Sequence, residues 1–214
     1  MTTTLSNEQF TPGIMTLFGS AQVSAVPDLA IIRLGVQTNG FNLEEIQSEN
    51  ATISQAILQS LSQLGVTEIK TSQYLIDKNY TYENGTRVDQ GYTVRNIFEI
   101  QTGDLGQVGT IIDTAVKNGS NIVDFVTFEV SDPDYYYQQA LNQALGNAIQ
   151  KSMSIARYLH LGVDPILVRI VETSFPQPRL SQINTAREGV TTPIEPGQYI
   201  IQASVTVDFY FADN

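Results

Sequence analysis

Ile200-Ile201-Gln202-Ala203-Ser204-Val205-Thr206-Val207-Asp208-Phe209-Tyr210-Phe211 alternates without a break near the end of a 214-residue chain. Ile201, Ala203, Val205, Val207, Phe209 and Phe211 fall on one side, and Gln202, Ser204, Thr206 and Asp208 on the other. A period of two with one apolar side is the pattern of a strand whose sheet has one covered face. The cover is legible upstream. Leu141, Ala144, Leu145, Ala148, Ile149, Ser152, Ile155, Ala156 and Leu159 recur at three and four, the spacing of a core-facing helix. Asp132 and Pro133 open that helix as N-cap and N1, and Leu161-Gly162 closes it.

Working outward, residues 14–25 and 29–39 read as two strands, and Val26-Pro27-Asp28 between them predicts a hairpin. Asn42 caps a helix carrying Leu43, Ile46, Asn50, Ile53, Ile57, Leu61 and Leu64 on one stripe, with Glu44 and Glu45 in its first turn and Gly65 past its end. Tyr74, Ile76, Tyr80 and Tyr82 share a face in one further strand; Tyr92, Val94, Phe98 and Ile100 share one in the next. Asn84-Gly85 in their connection signals a hairpin without fixing the turn type. A short helix follows over about 104–117, then a strand at 121–130 and, beyond the long helix, another at 166–173. Residues 174–196, with Pro176, Pro178, Pro193 and Pro196, read as an irregular loop. The order ββαββαβαββ predicts an α+β fold, a mainly antiparallel sheet with helices packed on one face and a split-βαβ core. Residues 1–12 read as a flexible N-terminal segment, 13–211 as the domain and 212–214 as a tail.

Composition removes several classes of function. Charged residues are only 15% of the chain, and 22 acids against 11 bases give a net charge of −11. Such a surface repels phosphate backbones, so neither nucleic acid nor an anionic membrane is an expected partner. With no cysteine, disulfides, thiolate nucleophiles and Cys-ligated metals drop out. Met1–Phe10 lacks the basic and apolar regions of a signal peptide, and no stretch reaches the ~18 apolar residues that would span a bilayer.

A series of short motifs runs along the chain: Gly91-Tyr92-Thr93-Val94-Arg95-Asn96, Asp104-Leu105, Val108-Gly109-Thr110-Ile111-Ile112-Asp113-Thr114-Ala115-Val116 and Asn118-Gly119-Ser120-Asn121. Phe128-Glu129-Val130-Ser131-Asp132 follows. The long helix then carries Ala140-Leu141, Ala144, Ala148, Lys151 and Ala156, and Pro193-Ile194-Glu195-Pro196-Gly197 precedes the last strand. In order and spacing this resembles the SIMPL domain family, and Gly19-Ser20-Ala21 with Val26-Pro27-Asp28-Leu29-Ala30 fits the family's opening segment. The resemblance covers about residues 13–211. It implies a bacterial envelope protein, periplasmic or outer-membrane-associated, in a family where some members are immunogenic, some form oligomers and some are linked to oxidative-stress defence. It supplies no catalytic residues. It places this chain in the envelope if the chain is a trimmed mature form, and in the cytoplasm otherwise.

The residues themselves offer few sites. His160, the single histidine, falls at the end of the long helix, where an imidazolium complements the dipole; it reads as structural. Gly103, Gly106 and Gly109 are spaced G-x-x-G-x-x-G rather than G-x-G-x-x-G, so they do not read as a phosphate loop, and Gly106 and Gly109 read as glycines for close helix–sheet packing. Glu44/Glu45 and Asp132/Asp134 read as helix-start acids. No cofactor or metal is expected. Of the glycosylation-like tripeptides at Asn50, Asn84 and Asn118, the last two read as turns. Tyr135-Tyr136-Tyr137 is the unusual feature: three consecutive helical residues cannot all face one core, so at least one belongs on the surface. Tyrosines there suit an interface, and equally a mixed core and rim without a partner. Arg179 and Arg187 in the 174–196 loop are natural anion contacts.

The expected function is that of a non-enzymatic, homo-oligomeric assembly or interaction protein of the cell envelope with an unidentified protein partner. The alternative is a module binding a small ligand or peptide in the helix–sheet cleft or under the 174–196 loop.

Overall fold

The computed structural model describes residues 13–174, the backbone of 179–181, residue 194 and residues 196–211. In chain order the elements are β1 (Gly13–Ala25), β2 (Leu29–Gly40), α1 (Leu43–Gln63), β3 (Glu68–Glu83), β4 (Thr86–Thr102), a 3-10 turn (Leu105–Gln107), α2 (Val108–Lys117), β5 (Ile122–Glu129), α3 (Pro133–Tyr158), β6 (Ile166–Glu172), β7 (Arg179–Ser181) and β8 (Gln198–Phe211). The α+β reading and the antiparallel pairing hold. The expectations for 1–12 and 212–214 lie outside the described residues. Within the supposed irregular loop, Arg179–Ser181 forms a short strand on β8, opposite Ile200–Gln198.

The strands divide into two sheets rather than one. One, ordered β3-β4-β2-β5, belongs to a compact unit built from Pro27–Ser131 with Gln182–Gly197. The other, β1-β8-β6 with β7 also on β8, belongs to a unit built from the two ends of the chain and Asp132–Ser181. The predicted hairpin of β1 and β2 is therefore not formed: β1 pairs along its whole length with β8, and β2 with β4 and β5. Pro27 does not turn the chain back. It marks the passage from one unit to the other, after which the Asp28 N–H bonds the Glu129 carbonyl at 3.1 Å.

In the Pro27–Ser131 unit, β2 and β3 run parallel with β4 between them, which is the split-βαβ arrangement expected from the order of elements. Ala30, Ile32, Leu34 and Val36 face α1 and α2 with Phe98 and Ile100, and Ile57, Leu61, Val108, Ile111 and Ala115 close the core over them. The Asn42 side chain accepts from the Glu44 and Glu45 N–H groups, as expected of the N-cap. Asn50, one of the sequon asparagines, is buried: its Nδ2 donates to the Val94 carbonyl at 3.0 Å, so it is part of the core. The Asn84-Gly85 loop is tight, both residues having the positive φ of a type I′ turn (49° and 81°), with Glu83 paired to Thr86.

In the other unit, α3 lies on β1 and β8. Asp132 accepts from the Tyr135 N–H at 3.0 Å and Pro133 takes the first turn, as predicted. The buried line keeps the small residues of the expected stripe, Ala144, Ala148, Ser152 and Ala156, and sets its larger ones to the side. It is Tyr137, Ala140, Ala144, Ala148, Ser152 and Ala156, while Leu141, Leu145, Ile149 and Ile155 flank it half-buried and Leu159 is exposed. Gly19 explains this: a Cβ there would stand 2.1 Å from the Ala144 carbonyl oxygen, so the helix backbone rides against the strand and only small residues fit between. After α3, His160 takes a left-handed conformation (φ 56°) with its Nδ1 3.0 Å from the Arg157 carbonyl.

Candidate functional site

The first turn of α3 separates its three tyrosines, because each successive residue is rotated by about 100° around a helix. Tyr137 is buried against the sheet. Its hydroxyl bonds the Glu172 carboxylate at the end of β6 and lies 2.9 Å from the Ser174 carbonyl and 3.0 Å from Ser174 Oγ. Burial raises the Tyr137 phenol above its ordinary value, and the adjacent Glu172 carboxylate adds to the effect. Tyr135 is 58% exposed and packs edge-on against Tyr136, so the expected surface tyrosine is present. Arg179 sits on β7, opposite Ile200. Arg187 lies outside the described residues.

Tyr137 thus fixes α3 to a strand with a long run of exposed aliphatic side chains. All seven residues of β6 are exposed, and five of them are aliphatic: Ile166, Leu167, Val168, Ile170 and Val171. Among the described residues β6 is hydrogen-bonded on one side only, to β8, with a register shift between Leu167 and Arg169. The opposite edge of this sheet is treated differently. Along β1, Lys151 Nζ donates to the Phe18 carbonyl (2.8 Å) and Asn147 Nδ2 to the Ser20 carbonyl (2.9 Å), both from α3. Side chains that occupy an edge in this way block the addition of another strand. The aliphatic run Ile166-Leu167-Val168 is the pattern of a strand buried on both faces, so the exposure of β6 was not legible in the sequence, and neither was the way β1 is covered.

The Pro27–Ser131 unit offers a second surface. β4 pairs with β2 only from Tyr92 onward, so the hairpin tip from Tyr80 to Asp89 is two strands standing alone. Tyr82 is 74% exposed, and Phe41, next to the Gly40 carbonyl that approaches Gly91, is 75% exposed. Arg87 stacks on Tyr80 at 3.3 Å, and Lys78 lies over the rings of Tyr80 and Tyr92 while pairing with Asp89 at 3.0 Å. Gly91 (φ 79°) lets β4 pass within contact of the Gly40 carbonyl at the base of this arm.

The remaining motifs settle into structural places. The Gly106 N–H donates to the side chain of Asp104, the cap of the 3-10 turn, and a Cβ at Gly106 would meet only that carboxylate, so Gly106 is not a packing glycine, whereas Gly109 is buried in the first turn of α2. Among the described residues no three His, Asp or Glu gather as metal ligands. The helix–sheet interior of the Pro27–Ser131 unit is filled by its core side chains. A depression of about 240 Å³ beside β3, lined by Thr67, Glu68, Lys70 and Glu99 among others, falls short of the ~300–1,000 Å³ of ligand pockets. Among the described residues no helix is long and apolar enough to cross a membrane.

A family model described as SIMPL, a protein of unknown function (DUF541), matches residues 15–209. The chain is 26% identical over 204 residues to the protein named Uncharacterized protein YggE of Escherichia coli K12, covering 94% of this chain and 82% of that one. It is 24% identical over 195 residues to the 26 kDa periplasmic immunogenic protein of Brucella melitensis, covering 88% of this chain and 73% of that protein.

Proposed function

The chain belongs to the SIMPL family, and from that premise we propose that it is a homo-oligomeric assembly or interaction protein of the cell envelope that acts without catalysis. The observation that carries this reading is β6: an edge strand with seven exposed residues, five of them aliphatic, is a surface that isolated proteins avoid and assemblies cover. The exposed aromatic arm of β3 and β4 adds a second apolar contact surface in the other unit. The envelope location rests on the Brucella relative, whose name calls it periplasmic. In this reading the assembly acts at the envelope, with the stress-defence role that the family resemblance implies.

Sedimentation of the full chain at micromolar concentration tests the proposal. An oligomer that Ile170→Lys shifts toward the monomer is the expected result. A monomer at all concentrations, with nothing captured from an envelope extract, would sink it.

A further inference from the structure

The face of the β3-β4-β2-β5 sheet that turns away from α1 and α2 carries a cluster of charges that the assembly reading does not use. Arg33 on β2 and Arg95 on β4 both reach Asp124, with Arg95 Nη2 2.7 Å from Oδ1 and Arg33 Nη2 3.8 Å from Oδ2. The β5 register shifts beside Arg33, which makes Asp124 an extra residue in the strand and brings its carboxylate to this face. Between the two arginines the floor is Gly35 and Ile97. A Cβ on Gly35 would come within 2.9 Å of Ile97 Cδ1, so only glycine keeps the floor low enough for guanidinium groups to lie across it.

The hydrogen-bonding capacity of this pair is largely unused. A separation of 3.8 Å is an ion-pair distance and not a hydrogen bond, so Asp124 satisfies Arg95 far better than Arg33. The Nε atoms of both arginines are buried with no hydrogen-bond partner. Unsatisfied buried polar atoms call for a specific explanation in a folded protein. Arg33 is nonetheless held in place, with its guanidinium over the Phe125 ring at 5.3 Å. Neighbouring Glu99 is occupied elsewhere, by Lys70 Nζ at 2.8 Å and Gln101 Nε2 at 3.4 Å. Three cations, Arg33, Arg95 and Lys70, therefore stand against two carboxylates, Asp124 and the Glu99 that lies directly opposite Arg33, in a chain whose net charge is −11. The side chains of Arg33, Arg95 and Asp124 are about a quarter to a third exposed, so the cluster is open to solvent.

We infer that Arg33 and Arg95 form a binding site for a carboxylate, with Asp124 as the resident counter-ion that sets its affinity and limits it to monoanions. The planar guanidinium fork matches a carboxylate in two-point geometry, as Asp124 itself illustrates. A phosphate dianion would meet Asp124 with one charge in excess of what the pair can balance. The carboxylate is either a free ion or an acidic side chain of a second copy, and both present the same group to the arginines.

An amide NMR titration of the full chain with acetate, against chloride at equal ionic strength, tests this. Saturable shifts at Gly35, Ile97 and Asp124 are expected, lost in Arg33→Gln and in Arg95→Gln. In Asp124→Asn, which keeps both guanidinium groups, half-saturation should come at roughly tenfold lower acetate, since a competing charge is gone. The same spectra show whether each variant is folded. Sedimentation of the arginine variants identifies the source: unchanged assembly means a free carboxylate, and a shift to smaller species means one supplied by another copy. Non-saturating acetate shifts, or shifts that persist in both arginine variants, overturn the site and leave the assembly reading untouched.

Discussion

The Asp28 carboxylate takes two hydrogen bonds from one residue, the Ser131 N–H at 2.7 Å and the Ser131 hydroxyl at 2.6 Å, across 103 positions of sequence. Asp28 follows the point where the chain enters its unit, and Ser131 precedes the point where it leaves. The pair therefore clasps the two ends of the Pro27–Ser131 segment.

These bonds, the hydroxyl first and then the N–H, hold the Asp28 carboxyl below its ordinary range. A depressed folded-state value contributes stability above the unfolded pKa, near ~4, and that contribution is lost as pH falls through the folded value. Asp28→Ala should cost about 1 kcal/mol at pH 7, discounted for exposure, with the difference from wild type shrinking below about pH 4. Urea unfolding at both pH values measures it. A difference independent of pH would rule out the carboxylate as its origin.

Tyr137→Phe removes the bond from α3 to Glu172 and Ser174 while keeping the buried ring. A loss of about 1–2 kcal/mol is expected at neutral pH, because the removed hydroxyl bonded a charged group. The raised phenol value means that its stabilisation is complete below the unfolded pKa, near ~10, and is lost as pH rises through the folded value. Alkaline unfolding curves should therefore be flatter for the variant than for wild type.

His160→Gly should stabilise the chain by about 1 kcal/mol, since a non-glycine side chain at φ 56° carries a conformational cost that glycine does not. A lower thermal midpoint in the variant would mean that the Nδ1 contact with Arg157 outweighs that cost.

Gly19→Ala tests the close approach of α3 to β1. With backbone 2.1 Å from the new Cβ, the helix must move, and a loss of about 2–3 kcal/mol follows from overpacking. Thermal unfolding of the variant within a degree of wild type would contradict the packing described for Ala144 and Ala148.

What the sequence made legible was local. Asn42, Asp132 and Pro133 cap helices because capping depends on neighbours within three residues, and Asn84-Gly85 makes its turn for the same reason. The shared face of Tyr74, Ile76, Tyr80 and Tyr82 followed from alternation. Partner choice did not. Periodicity gives β1 a buried side but cannot say whether β2, three residues away, or β8, more than 170 residues away, covers its edge. Ala144, Ala148, Ser152 and Ala156 stood in the predicted stripe of α3, but periodicity could not separate them from the Leu and Ile beside them, which the close approach at Gly19 leaves on the flanks. The Arg33–Asp124–Arg95 cluster joins three strands through a bulge, and no spacing along the chain announces it.

The antiparallel ladder of Gly13–Ala25 with Gln198–Phe211 has a consequence for the order of events at the ribosome. Residues 27–131 are contiguous and can collapse while the rest of the chain is still being made. β1, which precedes that segment, must wait for β8, more than 170 residues later, before it gains a partner, and loops of that length close slowly. Until β8 emerges its apolar side, with Met15, Leu17 and Val23, stays without its native cover, so β1 is a segment that a chaperone has long to hold.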